Sequence, residues 1–263
     1  MPFVSEVCGF LDELAPPELA ENWDNVGLLI GRTSSRVNRI LTCLTLTPDV
    51  AEEAVEQHAE LIVAHHPVLF RGTKVVSDQS AEGRLLLGLI ERGVAVYSAH
   101  TRFDSSRQGI NQQLAESFAL VDIAPIRPSE LLPNQGGGRS GRLATPVILR
   151  EFLALVRKAA GAEYVEYCGA EDAPVEYVGV ACGSAAEFLD DAAAAGCDTF
   201  VTGEARFHSA LEARGRGISL ILIGHYSSER PAMGWLAEEL ERRFAGVEVW
   251  ASRKECDPLR LSH

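Results

Sequence analysis

Short apolar segments alternate with amphipathic segments along this chain of 263 residues, and no other feature restricts its fold as strongly. Polar residues bound each apolar segment, which is typical of strands in a sheet that is covered on both faces. The amphipathic segments between them predict helices, and the strand–helix–strand order therefore predicts an α/β fold. In the first half the predicted strands are Arg39–Leu46, Glu60–Ala64 and Val94–Ser98, and the predicted helices are Val50–His58, Ser80–Arg92 and Asn111–Ala119.

The second half of the chain repeats this order, which indicates an internal duplication. Cys43 precedes His65 by 22 residues, and Ala181 precedes Gly203 by the same 22 residues. In both halves a predicted strand ends in a short polar cluster, and the next strand ends in a histidine. The predicted elements of the second half are helix Thr145–Gly161, strand Tyr177–Cys182, helix Ala185–Ala195, strand Thr199–Thr202 and strand Ser219–Ile223.

The duplication predicts a first α/β repeat at residues 1–126 and a second at residues 127–246. We expect the C-terminal segment, residues 247–263, to pack back on the first repeat. Proline, glycine and arginine are concentrated at residues 127–142, so we predict an exposed connection there.

Charge and cysteine usage argue against several classes of protein. The formal net charge is −13, whereas a nucleic-acid binder or a polybasic membrane-surface protein needs a dense basic face. The six cysteines show no C-x-x-C spacing, which favours reduced thiols in the cytoplasm over a disulfide framework or a thiolate zinc site. The N-terminus lacks a basic and then apolar signal region, and no apolar run is long enough to span a membrane. We therefore expect a cytoplasmic protein.

Most histidines follow the predicted strand ends, where ligands bind in open α/β sheets. The exceptions are His58 and His263, for which we expect exposed surface positions. Three carboxylates lie four residues from one of the strand-end histidines. The strand-end histidines are His65, His66, His100, His208 and His225, and the carboxylates are Asp104, Glu204 and Glu229.

Each motif by itself has a structural interpretation beside the functional one. The segment His65–Pro67 offers either two metal ligands or a hydrogen-bonded pair in a loop. Glu229 either converges with His225 on a ligand or complements the positive N-terminus of the following helix. Asp104 is either a ligand or the N-cap of a helix.

Together the motifs predict a metal site. Three histidines and two carboxylates at equivalent strand ends form a donor set that suits Zn, Mn, Fe or Co. A single catalytic ion usually has three protein ligands, so five ligands suit two ions about 3.5–4 Å apart with a bridging carboxylate.

Several separated motifs, in order along nearly the whole chain, carry a resemblance to a known family. The chain resembles the Nif-three-like dinuclear-metal proteins, whose members are often named GTP cyclohydrolase 1 type 2 homologues. The motifs are Glu21–Leu28 (ENWDNVGL), Ala64–Pro67 (AHHP), His100–Asp104 with Gly109–Asn111, Thr202–Glu204 with His208, and Gly224–Glu229.

The resemblance implies a fold, a ligand set and an assembly. It implies two intertwined α/β repeats with mixed sheets and the metal site between them. It also implies two divalent ions per chain, with Glu229 in the bridging position, and a toroidal homohexamer. The implied metal ligands are His65, His66, Asp104, His225 and Glu229.

The chain departs from the family pattern at positions that are not metal ligands. Thr45 stands where the family usually has Asp, and Glu204 stands where Asp is common. Arg102 and Phe103 replace the usual Asn-Leu, and the glycine-rich turn is reduced at Gly183–Ala186. We therefore expect ion binding, whereas the shape of the substrate pocket stays open.

Two hypotheses for the function follow. The first is a metal-dependent hydrolase that acts on a small, nucleotide-like substrate, with ring hydrolysis of the GTP cyclohydrolase type implied by the resemblance. His100 and His208 are then candidates for proton transfer or for orienting a ligand, unless they are structural. No P-loop pattern is present, so phosphate binding would use other groups, for example Arg102 or Arg206. The second hypothesis is a metal-containing, ring-shaped scaffold that interacts with another macromolecule.

Overall fold

The computed structural model describes residues 1–260 and 262, so the prediction for His263 lies outside the described residues. Helices and strands alternate along the chain. The α-helices are α1 (Val4–Leu14), α2 (Pro48–Glu56), α3 (Ala81–Glu91), α4 (His100–Ser105), α5 (Ile110–Ser117), α6 (Leu149–Ala159), α7 (Leu189–Ala194), α8 (Phe207–Arg216), α9 (His225–Glu229) and α10 (Pro231–Arg243). The strands are β1 (Gly27–Ile30), β2 (Arg39–Cys43), β3 (Leu61–Ala64), β4 (Ala95–Ser98), β5 (Leu120–Ala124), β6 (Arg127–Pro128), β7 (Gly136–Gly137), β8 (Arg139–Ile148), β9 (Glu166–Cys168), β10 (Pro174–Ala181), β11 (Thr199–Thr202), β12 (Ser219–Leu222) and β13 (Glu248–Ala251).

The first sheet has the strand order β1-β4-β3-β2-β13. Its strands are parallel except for β1, which pairs antiparallel with β4. Every residue of β3 and β4 is buried, as expected for parallel strands that are covered on both faces. Helices α2 and α3 supply Val50 and Leu86 to a core that also contains Leu41, Ile62 and Val96.

The second sheet is mixed and has the order β5-β8-β10-β11-β12-β9. Its centre, β10-β11-β12, is parallel, whereas β5, β8 and β9 pair antiparallel. Phe200 and Leu220 from this sheet pack against Leu189 of α7 and Ala213 of α8. The predicted α/β class with mixed sheets is thereby confirmed.

Contacts divide the chain into two units, each containing one of these sheets. Unit 1 comprises Met1–Arg102 and the chain from Ala232 onwards, and unit 2 comprises Phe103–Pro231. In unit 1, β13 pairs in parallel with β2. The repeats at residues 1–126 and 127–246 stay a prediction, because these units group residues that contact one another and do not compare the two halves of the sequence.

The turn after β13 is held by a single buried carboxylate from α2. Glu53 accepts hydrogen bonds from Trp250 Nε1 at 3.1 Å and from Ser252 Oγ at 2.6 Å. It also accepts the backbone N–H groups of Arg253 and Lys254, each at about 3.0 Å to one of its oxygens. Burial raises the pKa of Glu53, but these hydrogen bonds to the ionised form outweigh burial and lower it.

The prediction of an exposed connection throughout residues 127–142 is wrong, whereas the helix predicted at Thr145–Gly161 is present but begins later than expected. The connection contains the short strands β6 and β7, and β8 runs on to Ile148, so that α6 begins only at Leu149. Pro146 lies in the strand where the pairing register with β10 shifts, and a bulge does not need its missing N–H.

Arg139 explains why β8 was missed. Its side chain is 1% exposed, although arginine in a glycine-rich segment is typical of a loop. The guanidinium donates to the backbone carbonyls of Gly136, Gly138 and Ser106, each at 2.7 Å. Burial lowers the pKa of Arg139 to about 10, so the side chain stays charged near neutral pH.

The predicted helix Ala185–Ala195 is shorter than expected, because a 3₁₀ turn at Ala186–Phe188 precedes α7. Among the described residues, no helix is both long and apolar enough to cross a membrane.

Candidate metal centre

Three histidine rings converge in unit 1 at the carboxyl ends of β3 and β4. We call His65, His66 and His100 the histidine cluster. One potential ligand atom from each of them lies within 4.8 Å of the others. The backbone N–H groups of His65 and His66 bond to the carbonyls of Cys43 and Leu44, at 2.9 and 2.8 Å. The two residues thus continue the parallel pairing of β3 with β2 and are held in place by the sheet.

Thr45 contacts the ring of His66 directly. Its hydroxyl lies 2.8 Å from His66 Nδ1. A hydrogen bond at Nδ1 orients the ring and assigns ligand chemistry to Nε2. The family departure at this position therefore retains a polar group that orients the histidine.

His100 is held by a carboxylate whose role the sequence did not reveal. His100 Nδ1 lies 2.8 Å from Asp24 Oδ1, and the side chain of Asp24 is completely buried. Asp24 Oδ2 accepts the Thr101 hydroxyl at 2.6 Å. Burial raises the pKa of Asp24, but the hydrogen bonds from His100 and Thr101 outweigh it and lower the pKa to about 2. An ionised Asp24 can thus accept a hydrogen bond from Nδ1–H of His100 and orient the ring.

The backbone at His100 is also unusual. Its φ is +33°, a left-handed conformation that costs a non-glycine residue about 1–3 kcal/mol. The hydrogen bonds of Asp24 to His100 and Thr101 hold the chain in this conformation. Strain of this kind is characteristic of functional sites.

A second group of donors lies in unit 2, at the carboxyl ends of β10, β11 and β12. We call Asp104, Glu204, His225 and Glu229 the carboxylate cluster. His225 and Glu229 are one turn apart on α9, with His225 Nε2 3.1 Å from Glu229 Oε2. Glu204 follows β11, and its Oε1 lies 3.0 Å from His225 Nδ1. The hydrogen bond to Glu229 is the largest cause that raises the pKa of His225 to about 9, ahead of Glu204.

Gly183 shapes the space around Glu229. A Cβ atom at this position would lie 2.3 Å from Glu229 Oε1 and 3.5 Å from His225 Nε2. The φ of Gly183 is +65°, which also favours glycine. Its N–H donates to Ser228 Oγ at 3.0 Å, and Ser228 Oγ donates to the carbonyl of His225 at 2.7 Å. The turn after β10 therefore holds the buried Glu229 by close backbone approach.

Asp104 belongs to a closed network of hydrogen bonds. The side-chain amide of Asn111 donates to the Asp104 carbonyl at 3.0 Å, and its oxygen accepts the Cys182 N–H at 2.7 Å. The Cys182 thiol donates to Asp104 Oδ1 at 3.2 Å. Burial, followed by the charges of Asp104 and Glu229, raises the pKa of this thiol well above its ordinary value, so Cys182 stays protonated. The N-cap interpretation of Asp104 is wrong, because Asp104 is the fifth residue of α4.

Two residues suggested for phosphate binding lie in different environments. Arg102 is 2% exposed and donates to the carbonyl of Ala15 at 2.8 Å and to Asp12 at 2.6 Å. Its guanidinium is hydrogen-bonded at the carboxyl end of α1. The suggestion that Arg102 binds phosphate is therefore wrong. Arg206 is exposed just before α8.

His208, the second candidate for proton transfer, is exposed on the first turn of α8 beside Phe207. Among the residues that the structure describes, it belongs to no group of potential metal ligands. Its catalytic role stays a prediction.

The donor types fit a divalent metal ion. Imidazole nitrogens and carboxylate oxygens are the ligands that Zn, Mn, Fe and Co share, and the described residues contain His/Glu groups that can bind such an ion. In the carboxylate cluster, the negative field that favours a proton on His225 favours a metal cation as well. Sequence reasoning named the donors but missed the supporting residues Asp24 and Cys182, although Asp24 stood inside the ENWDNVGL motif.

The chain is similar to known proteins over most of its length. Residues 2–258 match the family model described as Duf34/NIF3 (NGG1p interacting factor 3). A Clostridium perfringens protein named GTP cyclohydrolase 1 type 2 homolog is 30% identical over 259 residues, which cover 98% of this chain and 99% of the relative. A Helicobacter pylori protein named GTP cyclohydrolase 1 type 2 is 31% identical over 230 residues, which cover 88% of each chain. A crystal structure of a Staphylococcus aureus protein superposes with a TM-score of 0.90 at 25% identity, over 99% of both chains.

The match extends over nearly the whole chain, and it confirms the resemblance found from the separated sequence motifs. The chain belongs to the DUF34/NIF3 family.

Proposed function

We propose that this protein is a metal-dependent hydrolase that binds two divalent ions and acts on a nucleotide-like substrate. The proposed ligands are His65, His66, Asp104, His225 and Glu229. The observation that most supports the proposal is that other residues position the proposed ligands. Above all, a glycine turn makes room for the buried carboxylate of Glu229.

The chain's own residues have distinct roles in this proposal. Bound divalent ions supply Lewis acidity for hydrolysis. Thr45 orients the ring of His66, and the thiol of Cys182 orients the carboxylate of Asp104. Asp24 is hydrogen-bonded to Nδ1 of His100, so Nε2 is the atom of this ring that is proposed to transfer a proton.

The names of two relatives support a nucleotide substrate. The Helicobacter pylori and Clostridium perfringens relatives both carry GTP cyclohydrolase 1 type 2 in their names. We extend this substrate class to the present chain as part of the proposal. Arg102 takes no part in it, because its guanidinium is buried against α1.

A second candidate function is a metal-containing scaffold that binds another macromolecule. The family description, an interacting factor, favours this alternative. We also propose the toroidal homohexamer that the sequence resemblance implies, which native mass spectrometry would test. A cytoplasmic location stays a prediction based on the scattered cysteines, which show no C-x-x-C spacing.

A turnover screen separates the two candidates. Metal-loaded protein is incubated with GTP and a panel of other nucleotides, phosphoesters and cyclic amides, and products are analysed by chromatography. We expect turnover of at least one nucleotide, with a loss of about 10²-fold or more in Asp104→Ala if this ligand is required. The matched control is Asp172→Ala, the same change at an exposed position.

Turnover that survives Asp104→Ala would contradict the assigned site. Failure of every substrate, in protein that holds two ions per chain, would favour the scaffold.

A further inference from the structure

We propose that Trp23 and Phe70 form a stacking site for the planar heterocycle of the substrate, beside the histidine cluster. This inference deepens the proposed function and rests on it for the position of the reacting group. Its evidence lies entirely in unit 1.

Both rings are large, apolar and exposed. Trp23 is 60% exposed and Phe70 is 50% exposed, although burial of such rings is the normal outcome of folding. Their centroids are 5.9 Å apart with an angle of 77° between the ring planes. Isolated exposed apolar residues need no explanation, but two aromatic rings in contact form a patch that a ligand can cover.

The patch adjoins a candidate catalytic residue. The centroid of the His100 ring lies 6.0 Å from that of Trp23 and also 6.0 Å from that of Phe70. A planar ring stacked on either aromatic side chain would therefore lie close to His100. Aromatic side chains stack on any nucleobase, because every base has a π-face.

The two aromatic residues are held in position by their neighbours. A turn closes from the Asp24 N–H to the Glu21 carbonyl at 3.0 Å and contains Trp23. The next residues along the chain anchor this turn, Asp24 to His100 at 2.8 Å and Asn25 to the Leu69 carbonyl at 2.7 Å. Leu69 directly precedes Phe70, so one short motif positions both rings. A pre-organised site loses less entropy when it binds a ligand.

The charge that follows Phe70 suits an anionic ligand. Arg71 and Lys74 are exposed in the segment directly after Phe70, in a chain with a net charge of −13. Cations next to an aromatic patch fit a ring that carries phosphate. A purine nucleotide combines both features.

The test measures binding by tryptophan fluorescence, independently of turnover. Metal-loaded protein is titrated with GTP, guanosine and inorganic triphosphate. We expect GTP and guanosine to quench the fluorescence of Trp23, and triphosphate to leave it unchanged. Isothermal titration calorimetry then compares the GTP affinity of all variants, because those changed at Trp23 lack this signal.

Removal of one stacking ring should weaken binding by about 5- to 150-fold. We expect such a loss in Trp23→Ala and Phe70→Ala, and most of the affinity to persist in Trp23→Phe. The matched control is Phe207→Ala, the same truncation at a phenylalanine that is 73% exposed in unit 2. Metal content should be unchanged in all four variants.

An unchanged GTP affinity in Trp23→Ala, or no binding of GTP and guanosine at millimolar concentration, would overturn the stacking site. A change in oligomeric mass in Trp23→Ala would overturn it too, because the patch would then be covered by another copy of the chain. Nucleotide binding that requires Trp23, without any Asp104-dependent turnover, would support the stacking site and reject the proposed hydrolase. Asp104-dependent turnover of a nucleotide with no role for Trp23 would do the reverse.

Discussion

The histidine cluster of unit 1 and the carboxylate cluster of unit 2 both lie at the carboxyl ends of parallel strands, but they differ in their chemistry. The histidine cluster consists of imidazole rings oriented by polar side chains, namely Asp24 and Thr45. The carboxylate cluster supplies most of the negative charge, and close backbone approach at Gly183 shapes it. Imidazole favours transition metals, whereas carboxylates neutralise the charge of any divalent ion.

This difference indicates that mutations disturb the ligands of the two clusters in different ways. A cluster of oriented rings loses ligand geometry when a hydrogen-bond partner is removed. A tightly packed carboxylate loses its position when a single carbon atom is added next to it. The following predictions, from the largest expected effect to the smallest, test this contrast.

The largest effect is expected for Glu229→Ala. Glu229 is the proposed bridging ligand and is only 4% exposed, so its loss removes a shared anionic donor. We expect the variant to be purified with little of either ion, as measured by elemental analysis per chain. Circular dichroism should show a folded protein, because a core of this size does not need a metal. A folded variant that still holds two ions would contradict the bridge.

Gly183→Ala should cause nearly as large a loss of metal without removing any ligand. The added Cβ would lie 2.3 Å from Glu229 Oε1, so the carboxylate must move. The matched control is Gly196→Ala, because Gly196 also has a left-handed φ, of +85°, but no atom would lie within 4 Å of its Cβ. Both variants should lose similar stability from backbone strain, of about 1–3 kcal/mol. Equal metal contents in the two variants would show that the approach to Glu229 is unimportant.

His65→Ala should have an intermediate effect. One imidazole is removed from the histidine cluster, while the carboxylates stay in place. We expect the variant to retain roughly one of two ions per chain by elemental analysis. Loss of both ions would show that the clusters depend on each other more strongly than this contrast implies.

Asp24→Asn should have a smaller effect. The change keeps the shape of the side chain but removes the charge that orients His100. Loss of such a supporting partner typically reduces metal affinity or turnover by about 10- to 100-fold. The comparison variant is Thr101→Val, which removes the hydroxyl that donates to Asp24 and accepts the Glu21 N–H but leaves the charge of Asp24 in place, and it should cost less. Because His100 is proposed to transfer a proton and is not a proposed ligand, the measurement is turnover in the metal-loaded protein, and equal turnover in Asp24→Asn and the parent chain would exclude this orienting role.

Glu53→Gln should change stability alone. Glu53 belongs to neither cluster, and its buried carboxylate accepts hydrogen bonds from the turn after β13. Hydrogen bonds to charged groups contribute about 1.5–3 kcal/mol each, so we expect a loss of free energy of unfolding in that range with unchanged metal content.

The stability that Glu53 provides should also depend on pH. Its pKa is lower in the folded chain than in the unfolded chain. The contribution is therefore complete above the ordinary glutamate pKa and is lost as the pH falls through the lower pKa of the folded state. Urea denaturation at pH 7 and at pH 4 should show a smaller difference between Glu53→Gln and the parent chain at the lower pH. A constant difference would contradict this assignment.

Local patterns predicted much of unit 1. Thr47 and Ser80 cap α2 and α3, with side-chain hydrogen bonds at 3.3 and 2.9 Å, and both helices begin within two residues of the predicted position. The buried strands β3 and β4 were equally evident, because short, continuous apolar runs between helices are typical of buried strands. Such elements depend on local propensity and burial, which the sequence contains.

In unit 2, tertiary contacts determined more of the secondary structure than local patterns did. Strand β8 contains a buried arginine and a proline, and both argue locally against a strand. Two of the carbonyls that bond to Arg139 are local, those of Gly136 and Gly138, but that of Ser106 comes from another segment of the chain. A pattern within ten residues cannot reveal partners that are thirty residues away.

The sequence by itself determined the α/β class, the types of donor and their positions after strands. Only the tertiary structure decided that Asp24 orients His100, that Gly183 makes room for Glu229, and that Arg102 is buried at the end of α1. The reason is physical. Apolar periodicity and residue chemistry are local properties, whereas a side chain's role depends on distances and burial that arise when remote segments pack together.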